Sequence, residues 1–436
     1  RDRFEAQVLC NEKGVTKMGT DRITRLRIAG LRSIEDIELE LDGLKVLIGD
    51  NGSGKSAILE ALELLRLLGR PVSFVNDGLL PHGGLEAVMR WGADRLRLGI
   101  TIEGGGPRLD YDLTVALVGS APEVVEETVV SKPAAAAERS VGRKILSRAG
   151  RDGWFREEGA DESSFSPREE TPGRPLHAAG DRSVLHSFGI DAPAPIARLS
   201  DAFSRIDHHA AFDVRPLWQQ QELDIRTGPR WPAVVEATDR LARFAVNLPN
   251  ALQVLRNRGR EVWDRVVERT RLGLGNEIRE LLLPAAGRGR IEVGVVDGRY
   301  PDRTAPLDFL SEGQLAYLCF VALVELGRDR SVLVLDEPDL HLHPGLLARV
   351  VWMLEEVAET CPVVLATHSD RLLDALKDPV ASVRLCRLDD DRATRLVSPS
   401  AERLAEWLED YRGLGAVRAE GYEAHVFDND ARGRDA

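Results

Sequence analysis

A glycine-rich run near the start of the sequence has the residue types and spacing needed to hold a phosphate chain. Its eight residues, which follow the pattern G-x4-G-K-[ST], are Gly49, Asp50, Asn51, Gly52, Ser53, Gly54, Lys55 and Ser56. The glycines let successive backbone N–H groups face an anion at the N-terminus of the helix that follows. Lys55 would neutralise charge on the β- and γ-phosphates, and the Ser56 hydroxyl would be a ligand of Mg²⁺. The run therefore predicts nucleotide binding.

Two carboxylates that could serve hydrolysis follow an apolar segment far downstream. Residues 332–335 are all Val or Leu, and Asp336 and Glu337 come directly after them. Because the carboxyl ends of parallel strands meet at one edge of a sheet, these acids are predicted to lie beside the glycine-rich run. Asp336 would hold Mg²⁺, directly or through water, and Glu337 would be the general base for the attacking water. An acid pair at a strand end is often only a solvated edge, but together with the upstream run it indicates catalysis.

Two further segments carry candidate phosphate contacts. Ser311 is the second residue of the pentapeptide L-S-E-G-Q at 310–314, which also contains Gly313 and Gln314, and a serine there is a natural N-cap. The helix N-terminus that it begins is an anion site. His368 ends another apolar segment, where it could bond the γ-phosphate or the attacking water. Taken alone, the first pattern is equally typical of an ordinary capped helix, and a lone histidine is more often structural.

The elements that must position these residues alternate between strands and helices. Near the start, ITRLRIAG, IEDIELEL and LKVLIG have strand patterns, and SAILEALELLRLLG has the pattern of an amphipathic helix. Downstream, RIEVGVV, SVLVLDEP and CPVVLATHS have strand patterns, with helical patterns between and after them. This alternation predicts an α/β fold with a largely parallel sheet covered by helices.

Composition changes along the chain suggest five segments. We expect a flexible N-terminus at 1–20, the first half of the α/β domain at 21–130 and its second half at 286–400. The intervening segment 131–285 is predicted to be an insertion that is first loop-rich and partly mobile, because Gly, Pro, Ser and charge dominate it, and then helical. Residues 401–436 are predicted to form one helix and a tail.

The overall composition of the chain indicates in which cellular compartment we expect the protein. The chain has 436 residues, of which 43% are hydrophobic, and a formal net charge of −13. It lacks an apolar stretch of the roughly 20 residues that a bilayer requires and a signal-peptide pattern at its start, so we expect a cytoplasmic protein with no membrane contact. The four cysteines form no CxxC pair and have no metal-ligand spacing, which indicates free buried thiols. The negative net charge of the whole chain does not exclude a local basic groove that binds nucleic acid.

The ordered series of glycine-rich run, LSEGQ, LVLDEP and THS resembles the ABC-type ATPases of the SMC/RecF branch. Within that branch the chain is similar to compact ATPases related to the OLD (overcoming lysogenisation defect) family. The stretches LRIAGLRSIEDIELELDGLKVLIGDNGSGKS, DEPDLHLHP, NLPNALQVL and EWLEDYRGLG carry the resemblance, which covers about residues 21–120 and 245–415. It implies a P-loop NTPase of ABC-ATPase type, with a mixed, mainly parallel sheet flanked by helices and with a helical insertion.

The resemblance also implies an activity and an assembly. ATP with Mg²⁺ would be bound and hydrolysed between two copies packed head to tail, as a homodimer or a higher oligomer. Ser311 and Gly313, with Gln314 beside them, would contact the γ-phosphate bound by the other copy, and His368 would be the switch histidine. The ATP-dependent closure of such a pair is physically reasonable, because two helix N-termini share the phosphate charge.

The sequence departs from this family at one point. ABC ATPases usually have a glutamine between the P-loop and the signature, and no glutamine lies between Ser56 and Gln219. The segment LLPHGGLEAVMRWG occupies the expected place, so His82 or a backbone group would substitute. This departure bears on metal coordination and on the hydrolysis rate, which we expect to be slow, and not on nucleotide binding.

The biological role is left open between two classes. The first is a DNA-associated ATPase in repair or, with a separately encoded nuclease or toxin effector, in anti-phage defence. The second is a nucleotide-gated assembly scaffold that regulates a partner protein; a transporter subunit fits less well. We expect no long coiled coil and no C-terminal nuclease domain, because the insertion lacks heptads and too few residues follow His368.

Two charged segments have two interpretations each. The arginines Arg256, Arg258, Arg260, Arg265, Arg269 and Arg271 could contact DNA phosphates, but interleaved acids equally favour a solvated helix with i,i+4 ion pairs. The acidic run at 389–391 is interpreted as a hairpin turn, with a metal site as the less favoured alternative.

Overall fold

The computed structural model describes residues 21–133, 142–156, 173–222, 228–275, 277–327, 329–408 and 412–427. The predicted flexible N-terminus at 1–20 lies outside the described residues, as do parts of the predicted loop-rich segment and of the predicted tail.

The described residues form strands, α-helices and short 3-10 or π-helical turns. The strands are β1 (Arg22–Leu31), β2 (Ile34–Glu40), β3 (Leu44–Ile48), β4 (Arg95–Glu103), β5 (Arg108–Val118), β6 (Ala121–Lys132), β7 (Arg143–Ala149), β8 (Asp152–Phe155), β9 (Arg174–His177), β10 (Ile206–His209), β11 (Ala233–Val234), β12 (Ile278–Leu282), β13 (Ala285–Gly287), β14 (Arg290–Ile291), β15 (Gly294–Asp297), β16 (Thr304–Pro306), β17 (Val332–Asp336), β18 (Val363–Ala366), β19 (Val383–Leu388) and β20 (Thr394–Val397). The α-helices are α1 (Lys55–Arg66), α2 (Leu85–Val88), α3 (Ala194–Ser204), α4 (Leu217–Glu222), α5 (Leu248–Asn257), α6 (Arg260–Leu274), α7 (Glu312–Leu326), α8 (Pro344–Ala358), α9 (Asp370–Leu373), α10 (Pro379–Ser382), α11 (Ala401–Trp407), α12 (Leu414–Ala419) and α13 (Glu423–Val426). The short turns cover Leu67–Gly69, Phe74–Leu79, Leu80–His82, Val184–Asp191 and Leu307–Phe309.

The chain divides into two compact units. The first contains the described residues of Arg1–Arg32, Glu38–Glu40 and Leu64–Arg205. The second contains those of Ser33–Ile37, Leu41–Glu63 and Ile206–Ala436. The boundary predicted at residue 130 does not coincide with a boundary between the units, because the segment up to residue 205 belongs with the N-terminal strands.

An eight-stranded sheet, with the order β2-β1-β4-β5-β6-β7-β8-β9, dominates the first unit. The pairs from β1 through β9 are antiparallel. On β5 the buried side chains of Leu109, Tyr111 and Leu113 alternate with more exposed residues, as expected for a strand with one face on a core. Three of these strands, β7, β8 and β9, lie in the segment that was predicted to be loop-rich, so that prediction is wrong for the described part. Short strands such as DGWF and RPLH bury too few apolar side chains to give an alternating pattern.

A six-stranded sheet, with the order β10-β17-β18-β3-β19-β20, lies at the centre of the second unit. Its strands run parallel except for the antiparallel hairpin of β19 and β20. This arrangement confirms the predicted mixed, mainly parallel sheet. The acidic run at 389–391 forms the turn of that hairpin, where Asp389 accepts hydrogen bonds from the backbone N–H groups of Asp391 and Ala393. The turn interpretation is therefore confirmed.

The edge strand β10 lies within the stretch that was predicted to be mainly helical, and this expectation is corrected. Its sequence, IDHH, is polar, and the fold tolerates buried Asp207 because it accepts hydrogen bonds from buried Arg330 and from His209. Burial alone would raise the pKa of Asp207, but the charges and hydrogen bonds of His209 and Arg330 outweigh it and hold this pKa well below its usual range. A strand of such residues has no hydrophobic pattern to reveal it.

Two further helix predictions are corrected in the second unit. The residues of β12, IRELL, read as the end of a helix but pair antiparallel with β15. The C-terminal segment contains α11, α12 and α13 in its described residues, instead of one helix and a tail. In both places tertiary packing overrides the local helix propensity.

The core of the second unit surrounds α7, whose residues from Leu315 to Leu323 are all buried. A helix that is apolar on every side belongs in a protein core or a membrane. In the described parts of the chain, no helix is both long and apolar enough to cross a bilayer. Cys319, Cys361 and Cys386 are buried free thiols, as predicted, and Cys10 lies outside the described residues.

Candidate nucleotide-binding site

The glycine-rich run connects the buried strand β3 to helix α1. All five residues of β3 are buried, and α1 begins at Lys55. Gly49 has φ +138° and Gly54 has φ +105°, in the region that favours glycine. A Cβ on Gly49 would collide with the carbonyl oxygen of Cys386, and one on Gly54 would collide with the side chain of Thr394. The path of this loop therefore requires glycine at both positions.

Lys55 is held against the loop that it follows. Its side chain is buried, and Nζ donates hydrogen bonds to the carbonyl oxygens of Gly49 at 2.8 Å and Asp50 at 3.0 Å. Burial lowers the pKa of Lys55, and the charge of Arg418 acts in the same direction, while Asp50 and Glu337 act against it. An ammonium held over backbone carbonyls can exchange these partners for phosphate oxygens.

The loop residues fit a phosphate chain. The hydroxyl of Ser53 is buried and has no hydrogen-bond partner among the described residues. Such a group costs about 1–3 kcal/mol unless a ligand supplies the missing bond. Ser56 is exposed at the first turn of α1, where its hydroxyl is accessible to a cation. These features support nucleotide binding at the predicted run.

Thr394 braces the loop from the first residue of β20. Its hydroxyl donates to the carbonyl oxygen of Ser53 at 3.0 Å and bonds the hydroxyl of Ser33 at 2.8 Å. The backbone N–H of Thr394 also donates to the carbonyl oxygen of Ser33 at 2.9 Å. Sequence reasoning missed Thr394, because it lies outside every motif and only tertiary contact reveals it.

The register of three parallel strands brings both acids to the edge that carries the loop. Asp336 on β17 is aligned with Ala366 on β18, and Ala366 is aligned with Leu47 on β3. Since neighbouring strands are about 4.8 Å apart, the backbones of Asp336 and Leu47 lie about 10 Å apart. Asp336 and Glu337 are both half-buried at this edge. The predicted juxtaposition of the acids with the glycine-rich run is thus present within one sheet.

Glu337 has an unusual backbone conformation. Its φ is +49°, in the left-handed region, and its N–H donates to the carbonyl oxygen of Ala366 at 2.9 Å. For a residue other than glycine this conformation costs of the order of 1–3 kcal/mol and is concentrated at functional sites. This conformation ends the extended path of β17 at Glu337.

His368 lies on a loop that hydrogen bonds hold in place. The hydroxyl of Thr367 donates to Oδ1 of Asp339 at 2.6 Å and accepts from the N–H of Ser369 at 2.9 Å. The N–H of Thr367 donates to the carbonyl oxygen of Leu47 at 3.1 Å. His368 itself is exposed at this edge, so the loop presents its ring outward from a fixed backbone.

The predicted signature is an exposed, reciprocally capped helix start. The hydroxyl of Ser311 accepts from the N–H of Gln314 at 3.3 Å, and Oε1 of Gln314 accepts from the N–H of Ser311 at 3.0 Å. Glu312 pairs with Nδ1 of His341 at 3.0 Å, and a Cβ on Gly313 would lie 2.7 Å from the carbonyl oxygen of His341. The loop after the two acids therefore packs directly against the signature. The Gln314 side chain takes part in the cap, and its predicted nucleotide contact stays a prediction.

Buried Arg230, which the sequence analysis missed, holds the segment that leads into helix α7. Arg230 donates hydrogen bonds to the carbonyl oxygens of Val214 at 3.0 Å, Leu307 at 2.7 Å and Leu310 at 3.1 Å. It fixes the turn that leads into Ser311. No motif surrounds Arg230 in the sequence, so its role is visible only in the fold.

The candidates for the missing glutamine remain predictions. His82 is half-buried at the end of a 3-10 turn in the first unit. Gln220 belongs to the next glutamines along the chain and is not one of these candidates; it is buried, donates to the carbonyl oxygen of Arg215 at 2.9 Å and accepts from the indole of Trp231, which is a structural role. In the described residues no group of three or more His, Cys, Asp or Glu side chains is placed to hold a cation. The predicted Mg²⁺ ligands, Ser56 and Asp336, are one hydroxyl and one carboxylate, so they do not form such a group and stay a prediction.

The arginines of α5 and α6 are engaged within the protein. Arg265 and Arg269 pair with buried Glu325, and Arg269 also pairs with Glu356. The remaining members bind carbonyl oxygens (Arg258, Arg271), Asp264 (Arg260) or the Trp263 ring (Arg256). These contacts favour the interpretation without DNA, although in the described residues Arg260 alone of this set forms an i,i+4 ion pair, and most partners lie on neighbouring elements.

Replacing Thr394 by valine should weaken nucleotide binding about tenfold, since losing one buried hydrogen bond costs about 1–3 kcal/mol and 1.4 kcal/mol is tenfold. The valine keeps the shape of the side chain but leaves the Ser53 carbonyl and the Ser33 hydroxyl without this partner. Titration with a fluorescent ATP analogue measures the affinity. Thr304→Val, at an exposed strand position in the same unit, is the matched control. An unchanged affinity in Thr394→Val would show that the brace does not shape the loop.

Parts of the chain are similar to curated proteins of DNA repair. A 120-residue stretch is 32% identical to the DNA replication and repair protein RecF of Cronobacter sakazakii and covers 26% of this chain and 31% of that protein. A 94-residue stretch is 37% identical to the DNA double-strand break repair Rad50 ATPase of Methanopyrus kandleri and covers 20% of this chain and 10% of that one. The chain thus spans about a third or less of the length of these relatives.

Solved structures of SMC heads align with most of the chain. The SMC head bound to the C-winged helix domain of ScpA aligns with 87% of this chain and 99% of its own, at 14% identity and a TM-score of 0.48. The SMC head domain from Thermotoga maritima aligns with 87% of this chain and 100% of its own, at 14% identity and a TM-score of 0.43.

A family model described as "AAA domain, putative AbiEii toxin, Type IV TA system" matches residues 44–374. That range contains the glycine-rich run, the capped signature, both acids and His368. Together with the RecF and Rad50 similarities, this match confirms the predicted resemblance to SMC/RecF-like ABC-type ATPases, and the chain belongs to this AAA-domain family.

Proposed function

We propose that the protein binds ATP with Mg²⁺ and hydrolyses it in a composite site between two copies packed head to tail. The observation that carries the proposal is the aligned register of β3, β18 and β17, which brings the P-loop, the acids and the His368 loop to one edge. Each of these elements serves phosphoryl chemistry when placed together. The capped signature adds an exposed helix N-terminus that a second copy can use.

Different residues of the chain have separate roles in the proposed hydrolysis. The loop N–H groups and Lys55 bind the phosphates, and the half-buried carboxylate of Glu337 accepts the proton of the attacking water. His368, exposed on its braced loop, donates a hydrogen bond to the γ-phosphate or the water. Ser56 and Asp336 would hold Mg²⁺, which supplies charge neutralisation at the phosphates when bound.

The helix start at Ser311 supports the sharing of one nucleotide by two copies. Ser311 is exposed, and the capping box fixes the conformation of the first turn of α7 by joining Ser311 and Gln314. A helix N-terminus carries roughly half a positive charge and favours an anion. ATP bound by one copy would satisfy the N-terminus of the other, so closure would depend on the γ-phosphate.

Glu337→Gln should bind ATP but lower turnover by about 10²–10⁴-fold, because general base catalysis contributes this much. The variant should also accumulate as a closed dimer in ATP, visible by size-exclusion chromatography with light scattering. Glu359→Gln, an exposed position on the same unit, is the matched control. Turnover at the wild-type rate in Glu337→Gln would refute the assignment of the base.

Mixing Ser311→Arg with Lys55→Ala protomers should restore activity, although each variant alone is inactive. The mixed dimer has one site with an intact P-loop from one copy and an intact signature from the other. Random association predicts roughly a quarter of the wild-type rate per protomer, since half of the dimers have one working site. Steady-state phosphate release measures this recovery. Replacing the Lys55→Ala partner by the double variant Lys55→Ala/Ser311→Arg must abolish it, and no recovery in the first mixture would contradict the shared site.

The proposed role is DNA-associated, in repair or with a separate nuclease or toxin effector in anti-phage defence. The repair functions named for the RecF and Rad50 relatives support DNA association. Because the arginines of α6 form contacts within the protein, the tip of the β13–β14 hairpin is the better candidate for contact with DNA phosphates. Arg288 and Arg290 are exposed there, and in the described part of the chain neither has an ion pair. The alternative is a nucleotide-gated scaffold that regulates a partner protein without touching DNA.

Arg288→Glu/Arg290→Glu should weaken binding to duplex DNA in the presence of ATP. Each phosphate contact contributes about 0.9 to the slope of log affinity against log salt, so the slope should fall by roughly two. Fluorescence anisotropy at several salt concentrations measures it, and the basal ATPase rate should not change. Arg260→Glu, an exposed arginine on α6, is the control. Absence of DNA binding by the wild type at low salt would favour the scaffold.

A further inference from the structure

The C-terminal residues 412–427 fold back onto the loop that presents His368. Helix α12 packs against α9, the one-turn helix that begins two residues after this histidine. A Cβ on Gly415 would collide with the carbonyl oxygen of Asp370, so the two backbones are in direct contact. The N–H of Ala416 donates to Oδ1 of Asp374 at 3.2 Å, at the end of α9. The start of α12 is therefore fixed to both ends of α9.

Arg418 adds a charged contact to this backbone packing. Its Nη1 donates to Oδ1 of Asp370 at 2.5 Å, and its Nε donates to Oε2 of Glu423 at 3.0 Å. The Arg418 side chain is only 16% exposed. A forked guanidinium that is itself mostly buried and has two carboxylate partners is a rigid connection, because both bonds fix the same plane.

The same arginine lies within electrostatic range of the P-loop. Burial is the largest cause that lowers the pKa of Lys55, and the positive charge of Arg418 lowers it further. Asp370 and Glu423 pair with Arg418 and partly compensate its charge. The C-terminal segment thus contacts the helix that follows the His368 loop, and the charge of Arg418 also acts on the P-loop lysine.

We propose that residues 412–427 are a working part of the ATPase site and that Arg418 is a positioning residue for His368. Through Asp370, Arg418 holds the start of α9 and so the loop at 367–369 that connects α9 to the end of β18. This inference rests on the proposed hydrolysis and goes beyond it, because it assigns a role in the reaction to Arg418, a residue outside the stretches that carry the resemblance. Arg418 does not itself contact the reacting atoms in this scheme.

A purely structural ion pair that anchors the C-terminal segment is the competing explanation. It predicts a loss of stability upon removal of Arg418, with no dependence on His368. A positioning role predicts instead that the two residues act as one unit, so that their losses of activity do not add.

The decisive experiment is a double-mutant cycle with Arg418→Ala and His368→Ala. Arg418→Ala should lower kcat roughly tenfold, since a small misplacement of a reacting group has effects of this size, while ATP affinity stays within about threefold. In the His368→Ala background, the further loss should be less than about twofold. Arg418→Lys should recover only part of the activity, because one ammonium does not reproduce the fork. Arg260→Ala, which removes an exposed paired arginine of the same unit, should leave kcat unchanged.

A second measurement is independent of hydrolysis. Amide hydrogen exchange of the peptide that covers residues 366–373 should be faster in Arg418→Ala than in the wild type and unchanged in Arg260→Ala. Equal losses of kcat in both backgrounds, an unchanged kcat, or unchanged exchange in that peptide would overturn the positioning role. If the wild type itself hydrolyses no ATP, the proposed function fails. The hydrogen-exchange measurement still decides whether Arg418 holds the loop.

Discussion

The parallel alignment of β3, β18 and β17 is the constraint on which the rest of the site depends. It brings the ends of three strands to one edge, so that residues separated by almost 300 positions in the chain become neighbours. The three strands are apolar and almost completely buried on both faces, as is usual for a parallel sheet covered by helices, so burial of their side chains stabilises the sheet in which this alignment occurs. The placement of phosphate-binding and acidic groups is therefore a consequence of hydrophobic burial, with no requirement for a ligand.

Short loops at this edge are fixed by contacts from distant parts of the chain. Thr394 secures the P-loop, Thr367 secures the loop after β18 through Asp339, and His341 secures the start of the signature helix. Glu337 keeps a left-handed backbone within this frame. A strained residue persists only where its surroundings determine the conformation, so the hydrogen-bonded loops and the strained acid are parts of one rigid arrangement.

The sequence predicts the elements that are defined by burial or by a strict motif. Three elements are identified by such a local signal: the apolar run of β3, the P-loop glycines and the Val/Leu segment of β17. Burial imposes the signal in the two strands, and phosphate binding imposes it in the loop. Strand β10 and strands β7 to β9 were missed, since polar side chains paired with tertiary partners, such as Asp207 with Arg330, leave no periodic pattern. The brace at Thr394 and the clamp at Arg230 depend on contacts across the fold, which no local reading of residue types reveals. The arginines near α6 were visible, but their ion-pair partners were not.

The bond between Thr394 and Ser53 joins residues 341 positions apart. Contacts of such high sequence separation form late, because a long loop must close before they are gained. During synthesis the P-loop would leave the ribosome long before the strand that braces it. The nascent chain would therefore lack a fully shaped nucleotide site until its C-terminal hairpin had emerged and docked.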